Sequence, residues 1–195
     1  MDRSTWDKIV SGAGAVVAVV LIVLGSMAIY GGIFARDNVR DRLEPQNIVF
    51  PPAEAMSPEE KAELGEFAGE KVDTGAEAEA YSRYIGGHLE GVNEGKTYSE
   101  TSSEARALDE NDPARAELDE MVQTLFRGET LRSILLNAYG WWTVGTITLW
   151  AGIASVLAGV FLGILAILGF RHAARVTGSG TEHATTIPEL ADATH

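Results

Sequence analysis

The chain has no cysteine. That excludes disulfides, thiolate metal centres and a lipid-modified N-terminal cysteine, and it leaves the compartment unassigned. Histidine is scarce too, with four copies in 195 residues, and no Asn-x-Ser/Thr sequon occurs. Charge is missing from two long stretches, residues 9–35 and 133–170. A helix needs roughly 20 apolar residues to cross a bilayer core of about 30 Å, so each stretch is long enough. Neither holds an acidic or basic residue inside it, so no proton or ion pathway built on buried charge is expected.

What charge there is lies mostly between these stretches. Residues 36–132 carry 23 acidic and 11 basic side chains, most of the chain's formal net charge of −13. Such a surface repels nucleic acid and anionic headgroups and suits cationic partners or solubility. With so much apolar sequence committed to lipid, a thin helical layer is expected here rather than a packed globule. The fold class expected is therefore an all-α membrane protein, two transmembrane helices with a helical extramembrane segment between them. Its divisions are an N-terminal tail (1–8), transmembrane helix 1 (9–35) and an acidic, mostly helical extracytoplasmic segment (36–137). Transmembrane helix 2 (138–170) and a basic-flanked, disordered C-terminal tail (171–195) complete it.

The first stretch admits a second reading as a cleaved signal peptide, since Ser26-Met27-Ala28 resembles a cleavage site. It continues past that site through Ile29, Tyr30, Ile33 and Phe34, which favours an uncleaved anchor. The second opens on Tyr139, Trp141 and Trp142, as at a headgroup boundary, and closes on Arg171, His172 and Arg175. Within it Ala151, Ser155, Gly159 and Gly163 recur every fourth residue, a spacing that lets two helices approach closely. In the first helix Ala28 and Gly32 have that spacing, as do Gly14 and Ala18. Arg3 and Lys8 before the first stretch and Arg171 and Arg175 after the second lead us to expect both termini in the cytoplasm of a multi-pass cell-membrane protein. Arg36, Arg40 and Arg42 argue the reverse, although long segments translocate largely regardless of charge.

Between the stretches, Pro45 and Pro51-Pro52 bracket Ile48-Val49-Phe50, the one strand-like patch, expected to dock on the helices or on a partner. Ser57-Pro58-Glu59-Glu60 opens a helix with a capping box, its apolar face Leu64, Phe67, Ala68 and Val72. A second helix is expected over 75–92, with Tyr81, Tyr84, Ile85, His88, Leu89 and Val92 as its buried stripe. Residues 99–111 read as a cap and a loop. Asp112-Pro113 starts a third helix that meets no breaker stronger than Gly128 and is expected to run on into the second span.

Chemistry-bearing patterns are few. Gly91-Val92-Asn93-Glu94-Gly95-Lys96-Thr97 is one residue short of a phosphate-binding loop and follows a helix where that loop needs a strand, so a helix end and turn is expected. His88 is the only histidine between the spans and is expected as a satisfied interior residue. His172, His183 and His195 fall beyond the second span, so no metal site and no cofactor is expected.

Several elements resemble those of a family of small actinobacterial membrane proteins with two spans. They are Arg40-Asp41-Arg42-Leu43 through Gln46-Asn47-Ile48-Val49-Phe50-Pro51, then Tyr84-Ile85-Gly86-Gly87-His88-Leu89 and Gly95-Lys96-Thr97-Tyr98-Ser99. The last is Phe126-Arg127-Gly128-Glu129-Thr130-Leu131-Arg132, leading to Ala138-Tyr139-Gly140-Trp141. Some members are labelled aromatic ring-opening dioxygenases, which implies a non-haem iron on two histidines and a carboxylate. Only His88 is at hand on the loop side. The chain is accordingly expected to be a non-catalytic membrane scaffold or accessory subunit. It would contact the bilayer and either a membrane protein partner or its own copies, and no nucleic acid. Helix packing falls to Ala151, Ser155, Gly159 and Gly163, and partner or core contacts to Ile48, Val49, Phe50, Tyr84 and His88. The alternative is a small homo-oligomeric channel or a membrane enzyme with a site around His88.

Overall fold

The computed structural model describes residues 3–182, with side chains from 5 to 175. Five α-helices account for most of them: α1 Arg3–Leu43, α2 Pro58–Leu64, α3 Gly75–Glu90, α4 Tyr98–Ala107 and α5 Pro113–Glu182. Two, α1 and α5, are long and apolar enough to cross a membrane. The chain divides into two compact units, one of the described residues up to Tyr30 and from Thr148 on, the other Gly31–Ile147.

In the first unit α1 and α5 lie antiparallel and nearly backbone to backbone. A Cβ added to Gly152 would stand 2.7 Å from the Gly25 carbonyl oxygen, and one added to Gly25 2.8 Å from that of Gly152. Further along, Gly159 meets the Ala18 carbonyl and Ile22, and Ala166 lies over Gly14. The Ser155 hydroxyl donates across the seam to the Leu21 carbonyl at 3.0 Å. Along each helix the buried positions are small and seven apart: Ser11, Ala18 and Gly25 on α1, and Gly152, Gly159, Ala166 and Ala173 on α5. A seven-residue repeat is the period of left-handed coiled-coil packing. It corrects the four-residue spacing: Ala151 is exposed, Gly152 takes its place, and Gly163 is only half-buried, with Ala18 at ordinary contact distance.

The second unit has a small core of its own, more than the thin helical layer expected. At the end of α1, Val39 and Leu43 join Phe50, Leu64, Val72 and Leu135 in it. The α1 helix outruns its expected end by eight residues because Arg36–Leu43 holds no breaker, and it tightens into a 3-10 turn only at Glu44–Gln46, around Pro45. Asn47 then reverses the chain in a left-handed conformation. The strand-like patch pairs as one antiparallel bridge, Val49 with Lys71, flanked by hydrogen bonds from Phe50 N to Glu70 O and from Val72 N to Ile48 O, both 2.9 Å.

Ser57 and Glu60 form the capping box of α2. The helix expected to reach Val72 ends at Leu64, because Gly69 at φ +76° turns the chain toward the bridge. Val72 is still buried, but from an extended segment. The 99–111 stretch is also corrected: it is largely helix, α4, capped reciprocally by Thr97 and Glu100. Past Phe170, α5 continues to Glu182, so the start of the expected tail is helical and the rest lies outside the described residues, with His183 and His195.

Candidate functional site

The aromatic cluster of the second unit gathers most of the contacts singled out in the sequence. Phe50 is 1% exposed and sits at its centre, stacked on Phe67 at 5.5 Å and edge-on to Tyr81 at 5.1 Å. Tyr84 touches both Phe50 and Tyr81, and Ile48 packs half-buried beside them. Phe50, Ile48 and Tyr84 are therefore core residues, while Val49, pointing to the other side of the extended segment, stays exposed. Burial pushes the Tyr84 phenol above its ordinary value, with the Glu60 carboxylate adding to the shift.

His88 lies at the edge of this cluster with its side chain 56% exposed, which corrects its expected interior placement. The α3 helix buries small residues instead, Ala78, Ser82 and Gly86 among them. The His88 ring packs on Tyr84 at 4.4 Å, and its Nδ1 stands 3.0 Å from the Tyr84 carbonyl oxygen and 3.5 Å from Glu60 Oε1. Both neighbouring oxygens accept, so this contact favours a proton on Nδ1. One turn back, Arg83 bridges Glu79 and Glu63, and chiefly the Glu63 hydrogen bond raises its guanidinium pKa.

The glycine-rich turn after α3 is held by α4. Asn93 and Glu94 adopt left-handed conformations, and Asn93 Nδ2 donates to Thr101 Oγ1 at 2.9 Å and to Glu104 Oε2 at 3.2 Å. Lys96 pairs with Glu104 at 2.8 Å. The lysine that suggested a phosphate loop is thus neutralised by its own fold. The lysine's hydrogen bond lowers the Glu104 pKa, and the Thr97 backbone N–H does the same for Glu100.

A third cluster surrounds Trp142, which no motif signalled. The Arg36 guanidinium lies 4.5 Å from the indole ring centre and that of Arg40 5.7 Å. Gly75, first residue of α3, abuts the same side chain so closely that no Cβ fits. Arg40 reaches Asp73 at 3.8 Å, whereas the Arg36 Nε is buried without a hydrogen-bond acceptor. Farther along, Leu89 packs on Gly128, and Arg132 Nε donates to the Ser82 carbonyl at 3.2 Å, which fixes α3 antiparallel to α5. The sequence marks the arginines as flanking charges, Arg40 also as part of a resembling motif, and Trp142 as a belt aromatic, without joining them. Their shared contact depends on α3 returning to α5, which no local pattern encodes.

Among the described residues no group of three or more His, Asp or Glu side chains is placed to hold a metal ion. No protein-family model, curated protein or solved structure matches the chain.

Proposed function

We propose that the chain is an integral membrane protein acting as a non-catalytic scaffold or accessory subunit, presenting its small helical unit to protein partners beside the bilayer. The observation that carries this reading is the distribution of side-chain size on α1 and α5. Small residues face inward along the seam, while Val16, Met27, Leu157, Phe161 and Ile167 stand outward, each at least 60% exposed. Water disfavours so continuous an apolar surface, and lipid accepts it.

The small-residue faces are spent within the chain, so partner contacts fall to other surfaces. Phe126 and Ile134, two turns apart on α5 and 52% and 58% exposed, are the apolar candidates beside Val49. His88 supports the tyrosine cluster, a structural role consistent with the non-catalytic reading. For orientation, we place both termini in the cytoplasm and the acidic unit outside. The arginines that dissent have local partners: Arg36 and Arg40 on Trp142, and Arg42 on Asn38 Oδ1 at 3.0 Å. The likeness to the two-span actinobacterial family fits this reading.

The test begins with carbonate washing of native membranes, which leaves an integral protein in the pellet. A photo-crosslinking residue at Phe126 or Ile134 is then expected to capture a companion in stoichiometric yield, and one at Phe161 lipid alone. Release by carbonate refutes the membrane reading. A monodisperse monomer without a crosslinked companion refutes the scaffold.

A further inference from the structure

The Trp142 cluster combines features that its packing alone does not use. Arg36 is the first charged residue after the uncharged stretch 9–35, and Trp142 lies in the aromatic opening of the stretch 133–170. Both therefore belong to the boundary where apolar sequence gives way to polar. Arg36 is half-buried on the indole ring, faces no carboxylate within ion-pair distance, and has its Nε covered with no acceptor. Arg40 shares the ring, and among the described residues its only ion pair is the long one to Asp73. The other nearby carboxylate, Glu77, accepts from the Asp73 and Thr74 backbone N–H groups. Asp37 and Asp41 are exposed neighbours on α1. Most acidic residues of the unit lie between Glu54 and Glu120; next to the uncharged stretches Arg36, Arg40, Arg42, Arg127 and Arg132 outnumber Asp37, Asp41, Glu44 and Glu129, and Glu129 is taken up by Arg132.

A guanidinium stacked on an aromatic ring is held with its edge free to take a phosphate through paired N–H groups. At a headgroup boundary the abundant anion is the lipid phosphate. We infer that Arg36 and Arg40 on Trp142 form a binding site for the phosphate of an anionic phospholipid. The inference rests on the membrane reading above. It places lipid selectivity in a cluster to which α1 contributes both arginines, α3 Gly75 and α5 Trp142.

The test uses the full chain reconstituted in vesicles and tryptophan quenching by lipids brominated on their acyl chains. One version keeps Trp142 alone (Trp6→Phe, Trp141→Phe, Trp150→Phe), and a second keeps Trp150 alone. Brominated phosphatidylglycerol is expected to quench Trp142 with an apparent affinity on the order of five-fold above brominated phosphatidylcholine for each arginine engaged. Trp150 should be quenched equally by both. Arg36→Gln should abolish the Trp142 preference and Arg36→Lys should retain part of it, with helicity by circular dichroism matched to the parent. If Arg36→Gln does not fold, Arg40→Gln must halve the preference or more. Equal quenching of Trp142 by the two lipids overturns the inference while leaving the membrane reading intact. Loss of the preference to inorganic phosphate at constant ionic strength assigns the site to free phosphate and overturns the lipid. A Trp150 quenched by neither lipid ends the membrane reading, and this inference with it.

Discussion

Replacing Gly152 with alanine adds one carbon where the backbone of α1 already stands. The new Cβ would lie 2.7 Å from the Gly25 carbonyl oxygen and 2.8 Å from the Ile29 nitrogen. A carbon normally approaches a carbonyl oxygen no closer than about 3.3–3.6 Å, so the helices must part there by about 0.6–0.9 Å. The obstructing atoms are backbone, which cannot swing aside as a long side chain would. Parting also strips contact from Gly159 against Ala18 and lengthens the Ser155 to Leu21 bond. Overpacking of this kind costs about 1–3 kcal/mol, against a gain of up to about 1 kcal/mol when alanine replaces glycine in a helix. We expect Gly152→Ala to lose about 1–2 kcal/mol and Gly152→Ile more. Ala151→Ile, one residue away and outward, should stay within about 0.5 kcal/mol of the parent. The measurement is thermal or denaturant unfolding of detergent-purified protein, followed by fluorescence. Combining Gly25→Ala with Gly152→Ala should cost less than the sum of the two, since both relieve one contact. If Ala151→Ile destabilises as much as Gly152→Ile, the seven-residue seam is wrong and the four-residue reading returns.

Other consequences are local to the second unit. Phe50→Ala empties the centre of the aromatic cluster and should cost about 3–5 kcal/mol in denaturant unfolding, whereas Val49→Ser should cost less than about 0.5 kcal/mol; equal losses would mean that the bridge faces the other way. Gly75→Val has no room beside Trp142 and should shift the tryptophan emission of a version that keeps only Trp142. An unchanged spectrum would contradict that contact. Glu100 and Glu104 have depressed folded pKa values, so the stability they give α4 is present above the ordinary glutamate value of 4.5. It is lost as pH falls through the lower folded values. Side-chain carboxyl ¹³C titration should show midpoints below 4.5 for both; midpoints at or above it would remove Thr97 and Lys96 as partners.

Local signals in the sequence located some elements and misled on others, for identifiable reasons. The Ser57 and Asp112 starts were legible because a capping box and an Asp-Pro pair act through neighbours two or three residues away. The same signal, Thr97 with Glu100, stood before α4, yet that helix buries Thr101, Ser102 and Ala105 and so lacks an apolar stripe. Periodicity is blind to a helix whose inner face is small and polar. Val72 misled in the opposite way. It fits the helical spacing from Leu64, but Gly69 and the bridge to Val49 give it the same burial from an extended chain. His88 continued the tyrosine stripe by spacing, and its exposure follows from Gly86 and Leu89, which turn the contact of α3 toward Arg132 and Gly128.

The seam shows most directly why a partner's geometry is needed to read a helix face. A straight helix has 3.6 residues per turn, so small residues at every fourth position drift around the cylinder, and Ala151 is carried out of the contact that Gly159 makes. Stepping by seven keeps Gly152, Gly159 and Ala166 on one line facing α1, where Ala18 and Gly25 are spaced the same way. Both spacings pass through Gly159, and with glycine and alanine so frequent in this stretch one helix alone does not choose between them. The choice is made by α1, whose buried small residues in the first unit, Ser11, Ala18 and Gly25, follow the longer step. That fit also has a functional consequence. With Gly25, Gly152 and Gly159 turned into the seam, bulky side chains such as Val16, Met27, Leu157 and Phe161 dominate the outer surface, with Ala151, Ala154 and Ala158 between them. Contact with a further apolar helix would then meet knobs such as Phe161 and Leu157. Substituting either side chain with alanine should therefore leave the thermal stability of the monomer nearly unchanged, and a loss as large as that of Gly152→Ile would place the seam on the outer face.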